Sequence, residues 1–371
     1  MKLLVYVPLL TPRIKYIFNF IFTDILHTQV GFSSNLQEYN ESDLPKISYA
    51  SRPVKDELFF KQDEFLLGHS IKPPTIRTSI YGDMIVPFAV EGGILPFDIF
   101  AASFYFVSRF EEYLPFEADE NGNFPAEQSL QSKLKLLEFP VIDGWAMLLK
   151  NILLKQYPGL HFGKKKFEIT PLICLYPSTA GSSFNLFKQV FTHFGSLLKF
   201  KKQVRTQPGK LSNLQLFLVG QHTQHNLNAV YFYRPALEVD SVTDRQLVFP
   251  NSYLHLIKHG LQKDYRMGYL NKPGFRAGTC TPFYWYDLQL EKMTHLRIHP
   301  VPVNDLILKQ SRTFDKDKIH DQWGTMINHV RKLEGSFYMV WHKDTLPEYG
   351  KGKAGRQLYA QLLADFSNFA P

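Results

Sequence analysis

Short apolar runs that stop at Pro, Gly, Asn or Asp alternate along this chain with longer stretches whose apolar residues recur at helical spacing. Only interleaved strands and helices satisfy such a pattern, so an α/β architecture is expected. The spacing predicts a buried strand over residues 3–9 and a helix over 12–26, where Ile14, Ile17, Ile21 and Ile25 recur behind Pro12. Further strands are expected at 59–60, 65–67 and 84–87, and long helices at 96–114 and 141–154. Beyond a segment rich in Pro, Gly and Lys (157–166), strands are predicted at 167–175, 214–220 and 337–342. Helices are predicted there at 184–200, 252–260 and 356–366. That segment is the expected boundary between domains of residues 1–160 and 161–371.

With 371 residues, 44% of them hydrophobic and 20% charged, the chain can bury a large core in about two domains. The two cysteines, Cys174 and Cys280, build no disulfide framework, and no finger spacing occurs, so a reducing, cytoplasmic location is expected. Pro8 and Pro12 interrupt the apolar N-terminus, and no run approaches the ~20 apolar residues of a membrane span. The net charge of +8 gathers in Lys164–Lys166 and in the run from Lys199 to Lys210. No aromatic residues interleave with those runs, so a nucleic-acid stacking platform is not expected; solvated turns and a polyanion patch are the two readings of the charge.

Several residues could carry chemistry. His222 and His225 follow an apolar run expected to be a strand, where they could be a ligand pair or exposed loop histidines. His255 and His259 have zinc-compatible i, i+4 spacing, but no Glu follows the first, and a helix C-terminus suits them equally. The segment 268–283 combines Gly, Pro and small hydroxyl residues around Arg276, whose fork could hold a carboxylate, and runs into Phe283, Tyr284 and Trp285, whose rings could stack on a sugar. His299 and His342 each end an apolar strand, the position of a general acid whose tautomer is fixed by a carboxylate.

These residues resemble the polysaccharide deacetylase-like proteins of bacteria, carbohydrate esterases in which an uncharacterised α/β domain precedes the deacetylase domain. The resemblance rests on PFDIFAASFYFVSRFEEYLPF (96–116), PVIDGWA (140–146), DYRMGY (264–269), PGFRAGTCTPFYWYDL (273–288), LRIHP (296–300) and VWHKD (340–344). It implies a distorted (β/α) barrel in the second domain, one zinc or other divalent metal, and hydrolysis of acetyl groups from a glycan. His342 then matches the general acid, Arg276 the arginine that orients the catalytic Asp, and Trp341 and Phe283 the sugar-site lining, with Trp285 and Tyr284 beside them.

The departures from the family are equally specific. Its first barrel strand ends in two aspartates, a base and a metal ligand, where this chain has Leu172 and Cys174. Its metal-binding His loop corresponds to a stretch, YFYRPALEVDSVTDRQLVF, that contains no His. The expectation is a retained fold with an impaired or inactive hydrolase that binds a glycan or supports a partner enzyme. The alternative is a working hydrolase with an altered metal set of Cys174, His222 and His225, and a polyanion-binding module is a third reading.

Overall fold

The structure is a computed structural model that describes residues 2–120, 122–175, 212–232, 247–310, 315–350 and 353–367. In chain order these residues form β1 (Leu3–Tyr6), α1 (Pro12–Asn19), β2 (Val30–Ser33), α2 (Leu36–Glu41), β3 (Lys46–Ala50), β4 (Leu58–Lys61), β5 (Thr78–Tyr81), β6 (Met84–Pro87), α3 (Ile99–Val107), α4 (Leu130–Lys133) and α5 (Val141–Gln156). There follow β7 (Glu168–Cys174), α6 (Asn213–Gln224), β8 (Val230–Phe232), α7 (Asn251–Lys258), β9 (Lys263–Met267), β10 (Phe283–Asp287), β11 (Lys292–Pro300), β12 (Val303–Asn304), α8 (Ile307–Gln310), α9 (Lys316–Lys332), β13 (Ser336–His342) and α10 (Lys353–Ser367). Strands and helices thus interleave in a mixed α/β fold.

The chain divides into two compact units. The first comprises Met1–Glu117, Phe124–Lys166 and Phe275–Ile298, and the second Ala118–Asn123, Phe167–Gly274 and His299–Pro371. One change of unit falls between Lys166 and Phe167, and residues 275–298 return to the first unit, so neither unit is continuous in sequence.

In the first unit β1–β4 form a parallel sheet in the order β2-β1-β3-β4. The Thr11 hydroxyl caps α1 by accepting the Ile14 N–H at 3.2 Å, and Pro12 occupies the first turn, where its missing donor costs nothing. The helix continues from Phe20 to Ile25 at π-helical pitch. The helix expected from Pro96 begins at Ile99 because Asp98 is its cap, accepting from the N–H groups of Phe100 and Ala101 at 3.0 Å each. It is buried on all sides. Residues 65–67, expected as a strand, lie largely in a 3₁₀ turn over Glu64–Leu66 opened by Asp63.

The returning segment closes this unit through buried polar pairs. Arg13 forms an ion pair with Glu291 at 2.6 Å, and Asp143 accepts from Thr279 Oγ1 at 2.6 Å, Cys280 N at 3.0 Å and Thr281 Oγ1 at 2.5 Å. Gly278 sits between them at φ +71°, where an added Cβ would press on Phe106 and Ile142. Only glycine combines that backbone with so close an approach.

In the second unit β7, β8, β12 and β13 form a parallel sheet in the order β12-β13-β7-β8, so the last strand in sequence pairs with the first. Among the described residues β12 and β8 are its edges, and no closed barrel is present. The strand expected at 214–220 is instead helix α6, opened by a capping box in which Ser212 and Gln215 satisfy each other's backbone N–H groups. A short apolar run does not by itself distinguish strand from buried helix, and here the cap decides. The helix expected at 184–200, the Lys199–Lys210 run and most of the His-free stretch lie outside the described residues. No helix among the described residues is long and apolar enough to cross a membrane.

Candidate functional site

Three side chains capable of acid, base or nucleophile chemistry stand at the carboxyl ends of three adjacent parallel strands, the edge where open α/β sheets hold their sites. Cys174 ends β7, His342 ends β13, and Asp305 follows β12. Cys174 and His342 are register partners, so strand pairing places their side chains on one face of the sheet. Leu172, Val340, Tyr338 and Phe232 pack as the apolar floor of that face.

Asp305 is fully buried and spends both carboxylate oxygens on the end of β13. Its Oδ1 lies 2.6 Å from His342 Nδ1, and its Oδ2 accepts the His342 backbone N–H at 2.6 Å and the Thr345 hydroxyl. Burial disfavours a charged His342, but the charge and hydrogen bond of Asp305, with Cys174 alongside, outweigh it and push the ring up to about 10. His342 is therefore an imidazolium at neutral pH, oriented by a carboxylate in the manner of a general acid. Asp305 was not singled out from sequence; its signal is a carboxylate two residues after the short apolar run Val301–Val303.

His299 lies on the same unit's Tyr338, with Nδ1 3.0 Å from the hydroxyl, and its ring stacks on Tyr265 at 4.4 Å between centroids. His222 and His225 are not loop residues after a strand but the end of α6 and its C-cap. Both His222 ring nitrogens meet tyrosine hydroxyls, Tyr231 at 2.7 Å from Nδ1 and Tyr359 at Nε2. Burial, with His225 nearby, lowers His222 to about 4, so it is the neutral centre of a Tyr-His-Tyr chain. Among the described residues no three His, Cys, Asp or Glu side chains form a group able to hold a metal ion, so Cys174, His222 and His225 do not make the expected set. The donor chemistry at Leu172 and Cys174 offers one thiol where two carboxylates would be needed, which does not fit the metal that the resemblance implies. His255 and His259 lie against each other at the end of α7, with ring centroids 4.2 Å apart and planes tilted by 38°.

Arg276 belongs to the first unit, where it is committed to Glu112 through Nε at 2.8 Å and Nη2 at 2.5 Å. Arg109 holds the same carboxylate at 2.7 Å and donates to the Arg276 carbonyl oxygen. Burial raises the Glu112 carboxyl, but Arg276 and Arg109 outweigh it and hold it below its ordinary value. This is a closed ion network, with the guanidinium fork filled by a carboxylate of the chain itself. Trp285 and Phe283 in the first unit are 1% exposed each and Trp341 in the second 0%. Their ring faces are covered by protein, with Trp341 against Trp323 and Tyr359, so they present no surface to a sugar. Tyr284 is only half-buried, beneath the Arg297 guanidinium at 5.6 Å.

Residues 3–158 match a family described as a family of unknown function (DUF7033). That similarity lies within the part of the chain that precedes β7 and names no chemistry. No curated protein and no solved structure matches the chain.

Proposed function

We propose that this chain is a polysaccharide deacetylase-like protein that keeps the general-acid pair of a glycan-deacetylating site and has lost its metal-and-base half. Metal-dependent release of acetate is then absent, and the protein engages an acetylated glycan without turning it over by that route. The observation that carries this reading is the His342–Asp305 pair beside Leu172 and Cys174. A proton donor is in place at the strand ends, while the two positions that would bind metal and take the proton of water carry a hydrocarbon and a thiol.

Two further features support it. The order β12-β13-β7-β8, with the last strand beside the first, is the arrangement an arc of a (β/α) barrel has. Motif segments 264–269 and 340–344 resemble that family over ungapped stretches. The glycan itself comes from the resemblance alone.

The test is metal analysis of the full chain purified without chelator, together with acetate release from acetylated chito-oligosaccharides in the presence of added zinc. The expected result is no stoichiometric metal, no acetate above background, and oligosaccharide binding by calorimetry. Zinc-dependent acetate release that disappears in His342→Ala overturns the loss of hydrolysis, and absence of binding overturns the glycan.

A further inference from the structure

The two buried cysteines have neighbours of opposite character. Cys280 lies in the first unit against the Asp143 carboxylate, and burial followed by that negative charge pushes its thiol well above the ordinary range. It stays protonated and unreactive. Cys174 is instead the register partner of His342, whose Nδ1 is held by Asp305. Thiol, imidazole and carboxylate in that order are a nucleophile, a proton carrier and its orienting group. Strand register fixes the first two side by side, and the third follows the strand paired to β13 on its other edge.

We infer that Cys174, His342 and Asp305 form a nucleophilic thiol site that accepts a short acyl group from an activated ester. The inference shares His342 with the reading above but neither its glycan nor its metal.

Nδ1 is engaged by Asp305, so the proton given up by the thiol resides on Nε2, and the sulfur reacts as a thiolate beside the imidazolium. The sulfur attacks the ester carbonyl carbon, the carbon–oxygen bond to the leaving group breaks, and the departing oxygen receives the proton from His342. An acyl thioester remains on Cys174. Water then attacks it, His342 accepts the water proton and returns one to sulfur, and a carboxylic acid leaves with the thiol restored. Asp305 contacts the imidazole and is a positioning residue.

The full chain is incubated with p-nitrophenyl acetate and its cysteine peptides are mapped by mass. Acetylation of Cys174 and not of Cys280 is expected, abolished by Cys174→Ala and slowed ~100-fold by His342→Gln, the scale of a lost proton-transfer group. Asp305→Asn is expected to move the alkaline limb of the pH profile of acetylation to lower pH, which a purely structural role would not do. The wild-type comparison of the two cysteines needs no variant to fold: Cys174 as unreactive as Cys280 overturns the inference. So does an unchanged rate in His342→Gln that retains its thermal transition. Because p-nitrophenyl acetate carries no sugar and the reaction no metal, failure here leaves the glycan reading standing. Zinc-dependent deacetylation of oligosaccharide would sink that reading and leave this one.

Discussion

Two buried histidines of the second unit are driven to opposite charge states by their partners, and each leaves its mark on stability. His342, raised to about 10 against Asp305, binds its proton more tightly in the folded chain than in the unfolded one, whose His titrates near 6.5. Its contribution is complete below that value and is lost as pH rises from ~6.5 towards 10. His222, lowered to about 4 between two tyrosines, resists a proton that the unfolded chain accepts, so its contribution is complete above ~6.5 and is lost as pH falls towards 4. Thermal unfolding across pH is expected to decline on both sides of ~6.5, with His342→Gln flattening the alkaline limb and His222→Gln the acidic one. An alkaline limb unchanged in His342→Gln would show that the Asp305 pair is not coupled to folding. Position 342 was legible in the sequence as a strand-end histidine. The partner that gives it a charge was not, because Asp305 lies 37 positions earlier and meets it only through β12–β13 pairing.

Among the elements, α6 shows how a local signal overrides an apolar run. Leu214, Leu216, Phe217 and Leu218 suit a buried strand as well as a helix, but Ser212 and Gln215 close a capping box that only a helix start can use. Ser212→Ala removes the acceptor for the Gln215 N–H, and a loss of ~1 kcal/mol is expected in denaturant unfolding. Gln224→Ala, at an exposed position in the last turn of the same helix, serves as the comparison, with a smaller loss expected. If the two are equal, the box contributes nothing. The end of α6 also explains why the histidine pair did not make a ligand set: as the last residue-turn and cap of a helix, His222 turns into the tyrosines of β8 and α10, not towards Cys174. Helices α1, α5, α7 and α10 were legible from periodicity and breakers because each buries one face against its own unit, which is what a 3.6-residue pattern records.

At the scale of the whole molecule, the first unit is discontinuous in sequence. Residues 275–298 supply Arg276 to Glu112, Glu291 to Arg13, and the Thr279–Thr281 donors to Asp143. A fragment of residues 1–166 leaves all three of those buried first-unit charges without these partners, and breaking one such buried pair typically costs about 3–5 kcal/mol. That fragment is expected to show no cooperative thermal transition, whereas the same fragment joined by a flexible linker to residues 275–298 is expected to recover one. A fragment that unfolds cooperatively alone would mean that the returning segment only decorates the unit. The sequence by itself determined the α/β class, most helices, and the presence of a histidine at the end of a late strand, because these depend on periodicity, caps and breakers within a few residues. Only the tertiary structure decided that Arg276 is filled by Glu112, that the tryptophans are core, and that Asp305, His342 and Cys174 meet at one sheet edge. Burial and pairing between positions tens to hundreds of residues apart are set by how strands align in space, and no local pattern encodes that.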